Sequence, residues 1–195
     1  MVQEQTPSTV GRRERKKAQT RALISDAATR LFLDRGFDAV TVKEVADVAD
    51  VSPTTVFAHF PTKESLVFDE DPQRQADLVA AVRGRRADLS ILDALELHFA
   101  AEQATGHQGD ADFGAFLEMI DRTPSLREHE RRLLRTRESA LAEAIADSSD
   151  PAVSPSAAAA LARFVLDAVD LARDQTDHQQ ALEEAFRILR DGWGA

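Results

Sequence analysis

The sequence predicts an all-α protein of about nine helices, a small three-helix domain followed by a larger helical one. Three observations lead there. No segment has the alternating, β-branched pattern of a half-buried strand. Apolar residues instead recur every three or four positions over helix-length runs. Helix-capping motifs, prolines and glycines then divide those runs.

Residues 14–35 form the first predicted helix. Leu23, Ala27 and Leu31, with Ile24, Ala28 and Phe32, fall on one face, and Gly36 ends it with Phe37 folding back on the last turn. Thr41 and Glu44 make a capping box that opens a second helix ending near Asp50. Ser52 and Pro53 open a third, since proline in the first helical position sacrifices no hydrogen bond, and Pro61 closes it. Thr62 caps a fourth helix from Lys63; the stretch DEDP at 69–72 should kink or restart it, with Asp71 as a second cap, before it runs to Arg86. Ser90 and Asp93 start a fifth helix reaching about Ala104. A loop with Gly106 and Gly109 precedes a short helix near 111–122. After Pro124 a long charged helix spans 125–147, SSDPAVSP breaks the chain, and helices at about 155–174 and 177–191 complete it.

The 195 residues suffice for one sizeable domain or two small ones. Cysteine is absent, which excludes disulfides, thiol nucleophiles and thiolate metal sites. No apolar run is long enough for a membrane span, and the basic start MVQEQTPSTVGRRERKK has no apolar core, so neither a membrane partner nor a secretory signal is expected. The cytoplasm is the expected location. The net charge of −10 hides an asymmetry: residues 1–65 carry 10 Lys/Arg and 9 Asp/Glu, whereas residues 66–195 carry 14 and 25. The segment GRRERKKAQTRA has six basic residues against one acidic, which suits either a polyanion-binding end or a solvated tail.

Three short helices with a tight turn between the last two make a helix-turn-helix arrangement. The seven or so residues after Ser52 are too few for an isolated helix to be stable in water. Burial of Val45, Ala46, Val48, Val51, Val56 and Phe60 against the first helix would hold it. Such a helix must be short and lightly decorated to enter the major groove and bring its N-terminal residues to base edges.

Residues 14–66, through AATRLFLDRGFDAVTVKEVADVADVS and PTTVFAHFPTKESL, resemble the DNA-binding domain of the TetR family of bacterial transcriptional regulators. The resemblance implies three parts: an arm at 1–13, flexible and basic at its end, a helix-turn-helix DNA-binding domain at 14–66, and a ligand-binding and dimerisation domain at 67–195. It implies that Thr41 and Lys43 reach phosphate and groove edge, and that Pro53, Thr54 and Thr55 form the base-reading tip. His59 and Lys63 would hold phosphates, while Arg12, Arg13, Lys16 and Lys17 supply the arm. Phe57 stands where the family usually has tyrosine, leaving apolar contact such as a thymine methyl. Asp50 occupies the turn position where the family prefers glycine, and aspartate tolerates a left-handed backbone better than most residues.

In the acidic remainder, Arg163, Asp167, Asp170 and Asp174 form one polar stripe on a helix otherwise apolar around its circumference. The resemblance accounts for this by pairing the last two helices with their copies in a four-helix bundle. Leu161, Val165 and Val169 would meet Leu182, Phe186 and Leu189 there, with Trp193 on the same side, and the homodimer would read a palindromic operator in double-stranded DNA. Leu95, His98 and Phe99, with Phe113, Phe116, Leu117, Met119 and Ile120, would line a cavity for a small, largely apolar effector. Pro72 is a candidate hinge between the domains. The run REHERRLLRTRE at 127–138 reads as a solvated face of intrahelical ion pairs, with an anionic-headgroup site as the alternative.

The function these readings imply is a ligand-responsive transcriptional regulator, a repressor by the family's commoner behaviour. An enzyme would need parts the chain lacks: it has no glycine-rich phosphate loop, no nucleophile motif and no tyrosine, and its five histidines lack metal-ligand spacing. Neither a cofactor nor a metal is therefore expected. A helical small-molecule-binding or adaptor protein without DNA binding remains the alternative, given Phe57 and the acidic total.

Overall fold

The structure is a computed structural model that describes residues 11–69, 71–105, 111–173 and 175–192, with the backbone alone at 105, 111–113 and 173. Among the described residues are nine α-helices, one 3-10 turn and no strand. None of these helices is long and apolar enough to cross a membrane. The chain divides into two compact units, Met1–Asp69 with Ala115–Leu126, and Glu70–Gly114 with Arg127–Ala195.

The first unit is built on α1 (Arg12–Arg35), α2 (Val42–Val48) and α3 (Pro53–His59), followed by a 3-10 turn at Glu64–Leu66. Arg12 and Arg13, expected in the arm, form the first turn of α1, and residues 1–10 lie outside the described residues. Ile24, Phe32, Val45, Val56, Phe60 and Leu66 pack into one core. Val48, expected in that core, is half exposed. The fourth helix does not begin at Lys63. Thr62 and Ser65 exchange backbone-to-hydroxyl hydrogen bonds of 3.2 Å each, which close a single turn. Helix α4 (Asp71–Arg83) starts afresh, with Pro72 in its first turn, where a missing N–H costs nothing. The segment 14–66, expected to bind DNA, is also not self-contained. Ile120 at the end of α6 (Ala111–Arg122) and Leu126 bury in its core, with Phe116 and Met119 packed beside them.

The second unit contains α4, α5 (Ile91–Thr105), most of α7 (Pro124–Ser148), α8 (Pro155–Arg173) and α9 (His178–Asp191). Its core joins Leu78 and Val82 of α4, Leu95 and Phe99 of α5, and Leu141 and Ile145 of α7. Val165 and Val169 of α8 and Leu182 and Phe186 of α9 complete it. Most boundaries fall within one or two residues of expectation, because caps and prolines set them locally. Helix α4 ends three residues early, at Arg83 before Gly84. Trp193, Asp174 and the loop glycines 106 and 109 lie outside the described residues.

Candidate nucleic-acid interface

The second and third helices are fixed by their caps. The Thr41 hydroxyl accepts from the Glu44 N–H at 3.2 Å, and the Glu44 carboxylate accepts from the Thr41 N–H at 2.8 Å. Arg35, at the end of α1, reaches the same carboxylate at 2.7 Å. The Thr41 backbone bond, then Arg35 and the Thr41 hydroxyl, pull the Glu44 pKa down to about 2. Thr41 thus caps α2, and the Arg35–Glu44 pair ties that cap to the end of α1. Lys43, in the first turn of α2, is exposed and only loosely paired with Asp47 at 4.0 Å, so its ammonium remains available to a phosphate.

Between α2 and α3 the chain must turn sharply. Asp50 takes φ +53°, the left-handed region. Among non-glycine residues aspartate is one of the few that enters it routinely. Ser52 then caps α3, accepting from the Thr55 N–H at 3.1 Å while its hydroxyl meets that of Thr55 at 2.8 Å.

Helix α3 has two sides. Val56 and the following Phe60 are each only 1% exposed and seat it in the core. Pro53, Thr54 and Phe57 face outward, and Phe57 is 50% exposed. A half-exposed phenylalanine ringed by small residues on a seven-residue helix gives a surface that approaches another molecule closely. His59, half-buried, has an Nδ1 with no hydrogen-bond partner. Burial first, then the charges of Lys17 and Arg21, hold its pKa below the usual value and favour the neutral ring.

Two basic residues work inward. Arg21 donates from its two terminal nitrogens to the carbonyls of His59 and Asp69, both at 2.8 Å, and its guanidinium lies 4.2 Å from the Phe60 ring centre. Ser25 donates to the Asp69 carboxylate at 2.5 Å. These contacts tie the end of α3 and the end of the domain to α1. The sequence shows Arg21 as one more residue of a basic run; only the fold distinguishes it. Lys63, expected on a phosphate, instead donates to the Phe37 carbonyl at 2.6 Å and sits 4.2 Å from the Phe37 ring centre. With its burial depressing the charged form, its ammonium is a lock on the α1–α2 loop.

Residues 24–69 match the family model described as bacterial regulatory proteins, tetR family. The chain is 30% identical over 147 residues to the HTH-type transcriptional regulator TcmR of Streptomyces glaucescens, covering 72% of this chain and 65% of that protein. The DNA-binding segment of the chain belongs to the TetR family. The chain is also 32% identical over 83 residues to the HTH-type transcriptional repressor KstR2 of Rhodococcus jostii, spanning 41% of that relative's length. Thermus thermophilus FadR, a TetR-family repressor solved in complex with lauroyl-CoA, superposes with a TM-score of 0.56 and 26% identity. That match covers 90% of this chain and 95% of FadR.

The residues expected to line an effector cavity fall in both units. Leu95 and Phe99 are buried in the second core, with His98 edge-on to Phe99 at 5.2 Å between ring centres. Ile120 and Phe116 pack in the first core instead, and Leu117 is 47% exposed. The side chain of Phe113 lies outside the described residues.

The expected dimer residues need correction. Val165, Val169, Leu182 and Phe186 are at most 4% exposed within the single chain, so they are already covered. Leu161 and Leu189 are partly buried against the same core. Helix α8 carries two apolar stripes, and the one left outside holds Phe164 and Leu171, 59% and 67% exposed. Next to it, Ala168, Leu171 and Ile188 line a groove shared with α9. A helix apolar all round gives no sign in its sequence of which stripe turns inward.

Proposed function

We propose that the chain is a ligand-responsive regulator of transcription that binds double-stranded DNA as a homodimer. It acts as a repressor on a palindromic operator in the cytoplasm and is released by a small molecule. The observation that carries the reading is the two-sided α3: anchored by Val56 and Phe60, braced by Arg21, and presenting Pro53, Thr54 and Phe57 outward. Thr55, half-buried and hydrogen-bonded to its cap, and Ser52 fix that tip; Lys43 and His59 flank it for phosphates. Arg12 and Arg13, on the first turn of α1, extend the basic edge towards an adjacent groove. A two-fold pair would set two such helices about 34–36 Å apart, one turn of duplex. The outer stripe of α8, with Phe164, Ala168 and Leu171, is the face to pair. Relatives named as a regulator and a repressor, TcmR and KstR2, support the regulatory role. The lauroyl-CoA bound by Thermus FadR supports an effector with a large apolar part, received in the second unit where Leu95 and Phe99 lie.

Gel-shift titration on DNA upstream of the chain's own coding region tests this. Affinity should fall steeply with salt, by about 0.9 in the log–log slope for each phosphate neutralised. Binding that ignores salt, or no binding at low salt, overturns the reading.

A further inference from the structure

The run 127–138 does not behave as one solvated face. Glu128 pairs with Arg131, Arg132 and Arg135 at 3.3–3.7 Å, all well exposed. Arg137 turns the other way and donates to the Asp71 carboxylate at the head of α4. Their side chains are 15% and 10% exposed, so this ion pair is largely buried. Such pairs are weak sources of stability, because desolvation offsets attraction, but they can hold a register or a switch.

Three buried side-chain nitrogens of this unit have no partner among the described residues. The Arg137 Nε is buried with no hydrogen-bond partner, and so are the Gln103 Nε2 and the His98 Nε2. The His98 nitrogen is 3.9 Å from the Glu102 carboxylate, outside hydrogen-bond reach. These groups share one end of the second unit. Arg137 is one turn before the buried Leu141 on α7, and Gln103 is one turn after the buried Phe99 on α5. Helices α4 and α5 pack together across the short connection 84–90, so they run antiparallel. Asp71 lies as far along α4 from Arg83 as Gln103 lies along α5 from Ile91, so at equal rise per residue the two come level. Buried polar groups in native proteins are nearly always paired, and three unpaired nitrogens beside one core call for a ligand that supplies acceptor oxygens.

We infer that the effector carries an anionic head, a carboxylate or phosphate, which takes the Arg137 guanidinium from Asp71 with Gln103 and His98 as further donors. This rests on the regulator reading and names its effector class. The apolar body lies along Leu95 and Phe99. A carboxylate or phosphate can meet the guanidinium fork through two bonds, whereas Asp71 engages one terminal nitrogen and leaves Nε without a partner, so head and Asp71 compete for the same group. Asp71 follows by two residues Asp69, the residue that Arg21 and Ser25 hold to α1. Displacing Asp71 therefore frees the head of α4 immediately beyond the DNA-binding unit. By linkage, whatever binds only the freed form disfavours the other.

Calorimetry on the full chain with dodecanoate, 1-naphthoate, dodecyl phosphate and dodecanol tests the inference. At least one anionic probe should bind at least about tenfold tighter than dodecanol, the scale of one charge-assisted contact. The carboxylates and the phosphate tell the two head types apart. Arg137→Gln should remove that preference, and Asp71→Asn should tighten the anionic probe by deleting its competitor. If Arg137→Gln alone fails to fold, the paired variant Asp71→Asn with Arg137→Gln, which leaves no lone buried charge, must show the same loss. Equal binding of anionic and neutral probes, no binding of any anionic probe, or an unchanged preference in the Arg137 variants overturns the inference. The gel shift without probes is independent: retained DNA binding with no anion preference sinks this inference alone, whereas anion binding without DNA binding sinks the regulator reading.

Discussion

Lys63→Met separates a structural lysine from a DNA-binding one. The ammonium gives a 2.6 Å charge-assisted bond to the Phe37 carbonyl and lies over the Phe37 ring at 4.2 Å. A hydrogen bond to a charged group contributes roughly 1.5–3 kcal/mol when buried, and a partly exposed cation–π contact about 0.5–1 kcal/mol. Lys63 is only half-buried, and methionine retains the apolar stem, so both figures are taken at their lower ends: the expected loss is about 2 kcal/mol. Chemical denaturation followed by circular dichroism should show the midpoint falling in proportion with an unchanged slope, since no surface is added to the unfolding transition. The folded variant should keep nearly the parent salt dependence for DNA, because the ammonium was already engaged inside the protein. A phosphate-bound lysine behaves oppositely: stability is unchanged, and the log–log salt slope drops by about 0.9. That second pattern refutes the inward assignment.

Three further outcomes follow from the geometry. Asp50→Ala should destabilise the first unit by about 1 kcal/mol, because alanine resists the left-handed backbone, whereas Asp50→Gly should not; equal melting of the two variants contradicts the turn assignment. The capping bonds pull the Glu44 carboxyl down to about 2 in the fold from its ordinary 4.5, so its contribution is complete above about 4.5 and is lost as pH falls towards 2. Glu44→Gln should flatten the acid limb of stability over that range in denaturation curves, and an unchanged limb counts against the capping box as its cause. Phe164→Glu, on the outer stripe of α8, should give a monomer in analytical ultracentrifugation with its helicity intact; a persisting dimer moves the interface elsewhere.

The sequence by itself determined where most helices begin and end, though not the single turn after Lys63, and that a short, capped helix follows a tight turn. Those decisions are local: Thr41 finds Glu44 three residues on, Ser52 finds Thr55, and Pro53 and Pro61 bracket what lies between. Asp50, a departure at the level of sequence, takes the left-handed backbone the turn requires. Tertiary structure alone decided which way side chains face once more than one face would serve. The stripe Val165–Val169 of α8 turned inward and left Phe164 and Leu171 out, a choice of one residue's rotation that a wholly apolar helix does not encode. Lys63 and Arg21 were drawn in by carbonyls and rings 26 to 48 residues away, and Arg137 by a carboxylate 66 residues away. A charge reads alike in the sequence whether it meets solvent, phosphate or a buried partner, because its partner is set by the packing of helices distant along the chain.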